Sequence, residues 1–115
     1  MEVQPRQIQN YLRADGTSPF EDWYDSLRDA QAKNIIRLRL KRVVAGNLGD
    51  FRSVGEGVFE LKIDYGPGYR AYFGEVGLTI VLLLVGGDKS TQDRDIKKAI
   101  GYWRDYEHKC EDANN

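Results

Sequence analysis

Two residue types that often carry chemistry are almost absent: the chain has one cysteine, Cys110, and one histidine, His108. A lone thiol excludes an internal disulfide framework and a cysteine-rich metal site, and it suits a reducing compartment. His108 stands in a polar C-terminal stretch, a poor place for a catalytic acid or a metal ligand. Long apolar runs are missing as well. The longest, Ile80 to Val85, falls far short of the roughly 20 residues a membrane-crossing helix needs. The opening segment, Met1 to Gly16, has no apolar core of the signal-peptide kind. These absences lead us to expect a soluble, cytoplasmic protein with no membrane partner. Charge of one sign is lacking too, since 17 Lys and Arg against 18 Asp and Glu leave a formal net charge of -1. Phosphate neutralisation dominates nucleic-acid binding, so such a partner would have to meet a local concentration of cations. No metal cluster, nucleophile triad or dinucleotide motif can be assembled from this chain, and neither a metal nor another cofactor is expected.

What is present suffices for one domain. With 115 residues and 41% hydrophobic composition, we expect a single modest core and no inserted second domain. Val3 to Leu12 alternates loosely and reads as a first strand ending in the turn Ala14-Asp15-Gly16. Ser18-Pro19-Phe20-Glu21 supplies a cap, a proline at the first helical position and a glutamate three residues after the cap, so a helix is expected from Pro19 to about Leu27 or Arg28. Asp29 can cap a second helix in which Ile36, Leu40, Val43 and Val44 recur at helical spacing, with Gly46 as its stop. Together these segments form a helical hairpin.

From Phe51 onward the period changes. Phe59, Leu61 and Ile63 alternate with Glu60, Lys62 and Asp64 up to the turn Gly66-Pro67-Gly68, and then Tyr69, Ala71 and Phe73 alternate with Arg70 and Tyr72. A turn near Glu75 to Gly77 leads into Thr79 to Val85, which is apolar at every position from Ile80 and reads as a central strand covered on both faces. An antiparallel meander is the simplest topology. After Gly86-Gly87, Ser90 or Thr91 can cap a final helix through Ile96, Ala99, Ile100, Trp103 and Tyr106, with Asp93 reaching back to Ser90 and His108 to Asn115 fraying.

Alternation decides which side chains share a face. If Val58 to Asp64 pairs with Tyr69 to Gly74, then Glu60, Lys62, Arg70 and Tyr72 point away from Phe59, Leu61, Ile63, Ala71 and Phe73. Two cations, a carboxylate and a phenol on one face suit a phosphodiester, because cations hold a scissile phosphate while a tyrosine or carboxylate moves a proton or stacks on a base. Cross-strand ion pairs on a solvated face account for the same pattern. The loop Gly86 to Asp93 offers backbone N–H groups and Lys89 to an anion, although it lacks the spacing of a P-loop and also reads as a simple strand-to-helix cap. Lys33, Arg37 and Lys41 form a basic stripe on the second helix, with Arg39 and Arg42 nearby; it is either a local RNA-binding surface or an ordinary solvated helix face. Trp23, Tyr24, Tyr102 and Trp103 are expected to pack against the sheet.

The stretches Gly57 to Phe73 and Leu82 to Asp93, with Gly46-Asn47-Leu48-Gly49-Asp50 and Ser53-Val54-Gly55-Glu56-Gly57 before them, closely resemble the "addiction module killer protein" (HigB/RelE-like) branch of the RelE/ParE toxins. The resemblance runs from roughly Phe20 to Tyr106. It implies an α+β, RelE-like (microbial RNase-like) antiparallel sheet with an N-terminal helical hairpin and a C-terminal helix. It also implies the toxin of a type II toxin-antitoxin system that cleaves messenger RNA on the ribosome and is neutralised by a cognate helix-turn-helix antitoxin, with operator DNA met only through the antitoxin complex. Arg70 matches the strand arginine that contacts the scissile phosphate in RNase-type relatives, and Lys89 matches the basic position after the last strand. Lys62 or Arg52 would add a phosphate contact, and Tyr72 and Glu60 would transfer protons or stack. The final helix lacks the histidine and tyrosine constellation of some relatives; Tyr102 and Tyr106 are the nearest substitutes by type. The implied chemistry is metal-independent attack of the 2′-hydroxyl, leaving a 2′,3′-cyclic phosphate. Two rival expectations stand beside it: a ParE-like gyrase poison, and a non-enzymatic module that binds its antitoxin to repress an operon.

Overall fold

Capping signals translate directly into helix starts. In the computed structural model, which describes residues 5–113, the Ser18 hydroxyl accepts from the Glu21 N–H at 3.1 Å and helix α1 runs Pro19–Ser26. Asp29 accepts from the N–H groups of Gln31 and Ala32 and opens α2, Ala30–Val44. Past its end Gly46, at φ 97°, donates to the Val43 carbonyl at 2.9 Å, and Asn47 donates to that of Arg42 at 2.8 Å. These two bonds satisfy carbonyls that a helix end leaves orphaned, and the left-handed φ favours glycine there.

The strands are β1 (Gln7–Asn10), β2 (Phe51–Gly55), β3 (Val58–Ile63), β4 (Tyr69–Val76) and β5 (Ile80–Asp88); a 3-10 turn, Lys89–Thr91, then leads into α3, Gln92–Ala113. They form one sheet in the order β1-β5-β4-β3-β2. The protein is therefore α+β, with a five-stranded mixed sheet and a C-terminal helix. The α1–α2 hairpin covers one face, where Phe20 and Ile36 pack with Leu61, Phe73 and Leu83. On the other face Ala99 and Trp103 of α3 pack with Val58, Tyr72 and Leu84.

Several expectations need correcting. The sheet is mixed because β1 joins β5 in parallel; alternation identifies a strand but carries no information about its direction. The hairpin is inserted between β1 and β2 instead of preceding the sheet. Of the first expected strand only Gln7–Asn10 pairs, and Val3 and Gln4 lie outside the described residues. β2 was not anticipated, since this edge strand is largely exposed and shows no alternation. Gly86 and Gly87 do not end β5: they pair with Ala71 and Arg70 in the ladder. Asp88 provides the cap, accepting from the Ser90 N–H at 2.8 Å while its own N–H donates to Thr91 Oγ1 at 3.3 Å. Nor does the chain fray at His108, because α3 continues to Ala113 and Lys109 pairs with Asp105 at 3.0 Å.

The two glycines of β5 follow from a bulge. Tyr72 faces Val85 and Phe73 faces Leu83, which leaves Leu84 as an extra residue and reverses the alternation beyond it. Gly86 consequently meets the hairpin face, where a Cβ would overlap the Trp23 ring; Gly87 meets the α3 face, where a Cβ would overlap the Asp95 carboxylate.

Candidate functional site

The β3–β4 register sets Glu60 opposite Tyr72 and Lys62 opposite Arg70, on the face that alternation assigns to them. The face is not solvated. Glu60 is 3% exposed, Arg70 6% and Tyr72 0%, because α3 lies across it, while Lys62 remains exposed. Glu60 is the centre of the cluster. It accepts from Arg52 Nε at 3.0 Å, from Gln92 Nε2 at 2.7 Å and from the Tyr72 hydroxyl at 3.1 Å, and Arg70 Nε stands 3.6 Å away. Burial alone would raise the Glu60 carboxyl, but the hydrogen bonds from Arg52, Gln92 and Tyr72 and the Arg52 charge outweigh it and hold the group below its ordinary value. Burial, the Glu60 charge and the bond to Glu60 push the Tyr72 phenol far up. At neutral pH the cluster thus contains a carboxylate and a protonated phenol, and neither is a ready proton acceptor.

Arg70 is the group with unused capacity. Its Nη1 donates to the Gly68 carbonyl at 3.1 Å and the Tyr69 carbonyl at 3.4 Å, yet its buried Nε has no hydrogen-bond partner. Arg70 lines a cleft of about 240 Å³ with Asp50, Phe51, Arg52, Glu60, Lys62 and Gln92. Of its three cations, Arg52, exposed over 61% of its side chain, and Lys62 face solvent, and Arg70 is buried.

Five of the sequence-predicted residues therefore converge: Glu60, Lys62, Arg70, Tyr72 and Arg52. Lys89 is a near neighbour, since a Cβ on Gly68 would lie 3.3 Å from Arg70 Nη1 and 3.5 Å from Lys89 Cβ, but Lys89 lines a separate cleft formed with Ser90 to Arg94. Lys33, Arg37 and Lys41 do not join the cluster. Their helix packs on the opposite face, where Lys33 Nζ lies 5.4 Å from the Tyr24 ring centroid and Arg37 donates to the Tyr24 hydroxyl at 3.3 Å. Tyr102 stacks on Tyr11 and Tyr106 on Trp103, and neither lines the cleft that holds Arg70. Gln92 and Asp95 went unnoticed in the sequence. Asp95 is 3% exposed and accepts from the Thr91 hydroxyl. The available signal was that Gln92, Asp95, Ala99 and Trp103 recur at helical spacing, with polar residues at the N-terminal end of a buried stripe.

Fold and cluster together define an α+β protein whose sheet carries a cleft lined by Arg52, Lys62 and Arg70 with Asp50 and Glu60, at the start of its C-terminal helix. No family model matches the chain. A protein of Haemophilus influenzae, described as "Uncharacterized protein", is 51% identical over 83 residues, which cover 72% of this chain and 84% of the relative. The chain belongs to one family with that protein.

Proposed function

We propose that the chain is the toxin of a type II toxin-antitoxin pair, an endoribonuclease that cuts messenger RNA on the ribosome and is neutralised by a helix-turn-helix antitoxin. The RelE-like (microbial RNase-like) form of the α+β fold is part of the same proposal. The observation that carries it is Arg70, a buried guanidinium whose Nε, paired with Glu60 at 3.6 Å, makes no hydrogen bond, at a cleft also lined by Arg52 and Lys62. The resemblance to RelE/ParE toxins, in which Arg70 matches a phosphate-contacting arginine, supports the same reading. In this mechanism Arg70, Arg52 and Lys62 hold the scissile phosphate. The 2′-hydroxyl oxygen forms a bond to phosphorus, its proton passes to water, and the bond from phosphorus to the 5′-oxygen breaks. That oxygen leaves with the electron pair and takes up a proton, and a 2′,3′-cyclic phosphate remains. With Glu60 held ionised and Tyr72 protonated, charge stabilisation and positioning supply the rate, and the ribosome helps orient the RNA.

The test is induction of wild type, Arg70→Ala, Lys89→Ala and the more exposed Arg52→Ala, with folding checked by circular dichroism and messenger RNA 5′ ends mapped. Growth arrest with new 5′ ends that vanish in folded Arg70→Ala and Arg52→Ala supports the reading. Arrest with intact transcripts and broken DNA points to gyrase and overturns it. A second reading, a non-enzymatic antitoxin-binding module, is favoured by one observation: Glu60 already engages Arg52 and Arg70. It requires that the arginine variants leave the phenotype unchanged.

A further inference from the structure

A second cleft, of about 450 Å³, lies between the C-terminal half of α2 and the β3 end of the sheet. Asp50 and Lys62 line both this cleft and the one that holds Arg70, so the two share a wall. Arg39 and Arg42 line it. Arg39 Nη2 donates to the Leu48 carbonyl at 2.5 Å, while its buried Nη1 has no partner. Burial, and then the charge of Arg42, make it harder to keep Arg39 protonated, and Asp50 only partly offsets them. Two like charges held in one cleft, one of them with a spare buried donor, call for an anion. Asp50 and Asp64 also line the cleft and limit its positive charge. Ile35, Leu38 and Ile63 give it an apolar wall, with Leu38 49% exposed.

We propose that this cleft is a flanking subsite for single-stranded RNA: Arg39 and Arg42 hold a backbone phosphate beside the one at Arg70, Lys62 stands between the two, and Leu38 supports a base. The proposal rests on the endoribonuclease reading. A polynucleotide fits because its phosphates recur along one flexible chain, matching two cation clefts that share a wall, and because its bases have apolar faces.

The experiment measures binding of a single-stranded oligoribonucleotide, made uncleavable by 2′-methoxy riboses, through fluorescence anisotropy over a salt series. The proteins are full-length wild type, Arg42→Ala, Arg39→Lys, Arg70→Ala and, as control, Lys98→Ala on exposed α3 surface. Each phosphate contact on a single strand contributes about 0.7 to the log–log salt slope, so Arg42→Ala should bind about fivefold more weakly at about 0.1 M salt with a slope lower by about 0.7. Lys98→Ala should match wild type. Arg39→Lys keeps the charge and the stem in case Arg39→Ala disturbs the Leu48 loop, and it should weaken binding less than Arg42→Ala. If wild type binds and Arg70→Ala weakens binding while Arg42→Ala and Arg39→Lys leave both affinity and slope unchanged, the subsite is overturned and the endoribonuclease reading stands. If wild type shows no binding, the subsite is overturned, while the endoribonuclease reading, in which the ribosome orients the RNA, is decided by the mapped 5′ ends. If Arg42→Ala loosens the antitoxin and leaves RNA binding intact, the cleft is a protein-docking surface and the proposal fails.

Discussion

Glu60→Gln is the sharpest single perturbation of the cluster, since it keeps the shape and removes the charge on which four groups converge. The substituted amide keeps one acceptor oxygen and turns the other position into a donor, so at least one of Arg52, Gln92 and Tyr72 then faces a donor. Buried Arg70 also loses its counter-charge. Breaking a buried pair by removing one partner costs about 3–5 kcal/mol. Because Arg52 is 61% exposed, its share is screened, and we expect the low end of that range, about 3 kcal/mol. For a chain of this size that corresponds to a fall in Tm of about 10–15 °C.

The pH dependence has a definite sign. The folded Glu60 carboxyl lies below its ordinary value, so its stabilisation is fully present above the unfolded value of about 4.3 and is lost as pH falls through the lower folded value. The stability gap between wild type and Glu60→Gln, measured by urea unfolding followed by circular dichroism, should therefore be widest near neutrality and close in acid. A gap that stays constant across this range, or a Tm for Glu60→Gln within about 2 °C of wild type, would refute the assignment of Glu60 as the centre of the cluster.

Gly86→Ala sets a methyl group against the Trp23 ring, which is itself wedged between Phe20 and Tyr69. Overpacking of this kind costs about 1–3 kcal/mol, and Trp23→Leu in the same chain should recover part of it, as a double-mutant cycle in thermal unfolding would read. Burial first, and then the hydrogen bond to Asp105 and its charge, push the Tyr11 phenol up to about 12. Its stabilising contribution is complete below the unfolded value of about 10 and disappears as pH rises through the folded one. An absorbance titration of tyrosinate should thus show one late-titrating group fewer in Tyr11→Phe than in wild type.

The parts of the fold legible in the sequence were those governed by neighbours in the chain. Ser18, Asp29 and Gly46 mark helix ends because capping is decided within a few residues, and the alternation of Phe59 to Ile63 and Tyr69 to Phe73 fixes a shared face because strand geometry has period two. What failed depends on distant partners. Gly86 and Gly87 look like a break until Trp23 and Asp95 are seen to occupy the space where their side chains would be. β1 gives no hint that it runs parallel to β5, and β2 has no buried face to impose a pattern. The site divides along the same line. The cross-strand quartet was legible, whereas its coverage by α3, the bond from Gln92 and the exclusion of the Lys33, Arg37 and Lys41 stripe were decided by which helix packs on which face.

The burial of Glu60, Arg70 and Tyr72 changes what Glu60 does. On a solvated face it would be one charge among several; beneath α3 it neutralises the cations that a phosphate would use, in a chain whose formal net charge is already -1. If the cleft takes RNA as proposed, a bound phosphate and Glu60 compete for Arg52 and Arg70, and affinity is set by the difference between the two interactions. Glu60→Gln removes the competitor and makes the cleft more positive by one charge. At a separation of several ångströms in a water-exposed cleft this is worth about 1 kcal/mol, or about fivefold in affinity. The same variant that loses stability should therefore bind the uncleavable oligoribonucleotide more tightly, with Arg52→Ala shifting affinity the other way. If Glu60→Gln binds equally or more weakly while remaining folded, Glu60 positions the arginines for the ligand and does not compete with it.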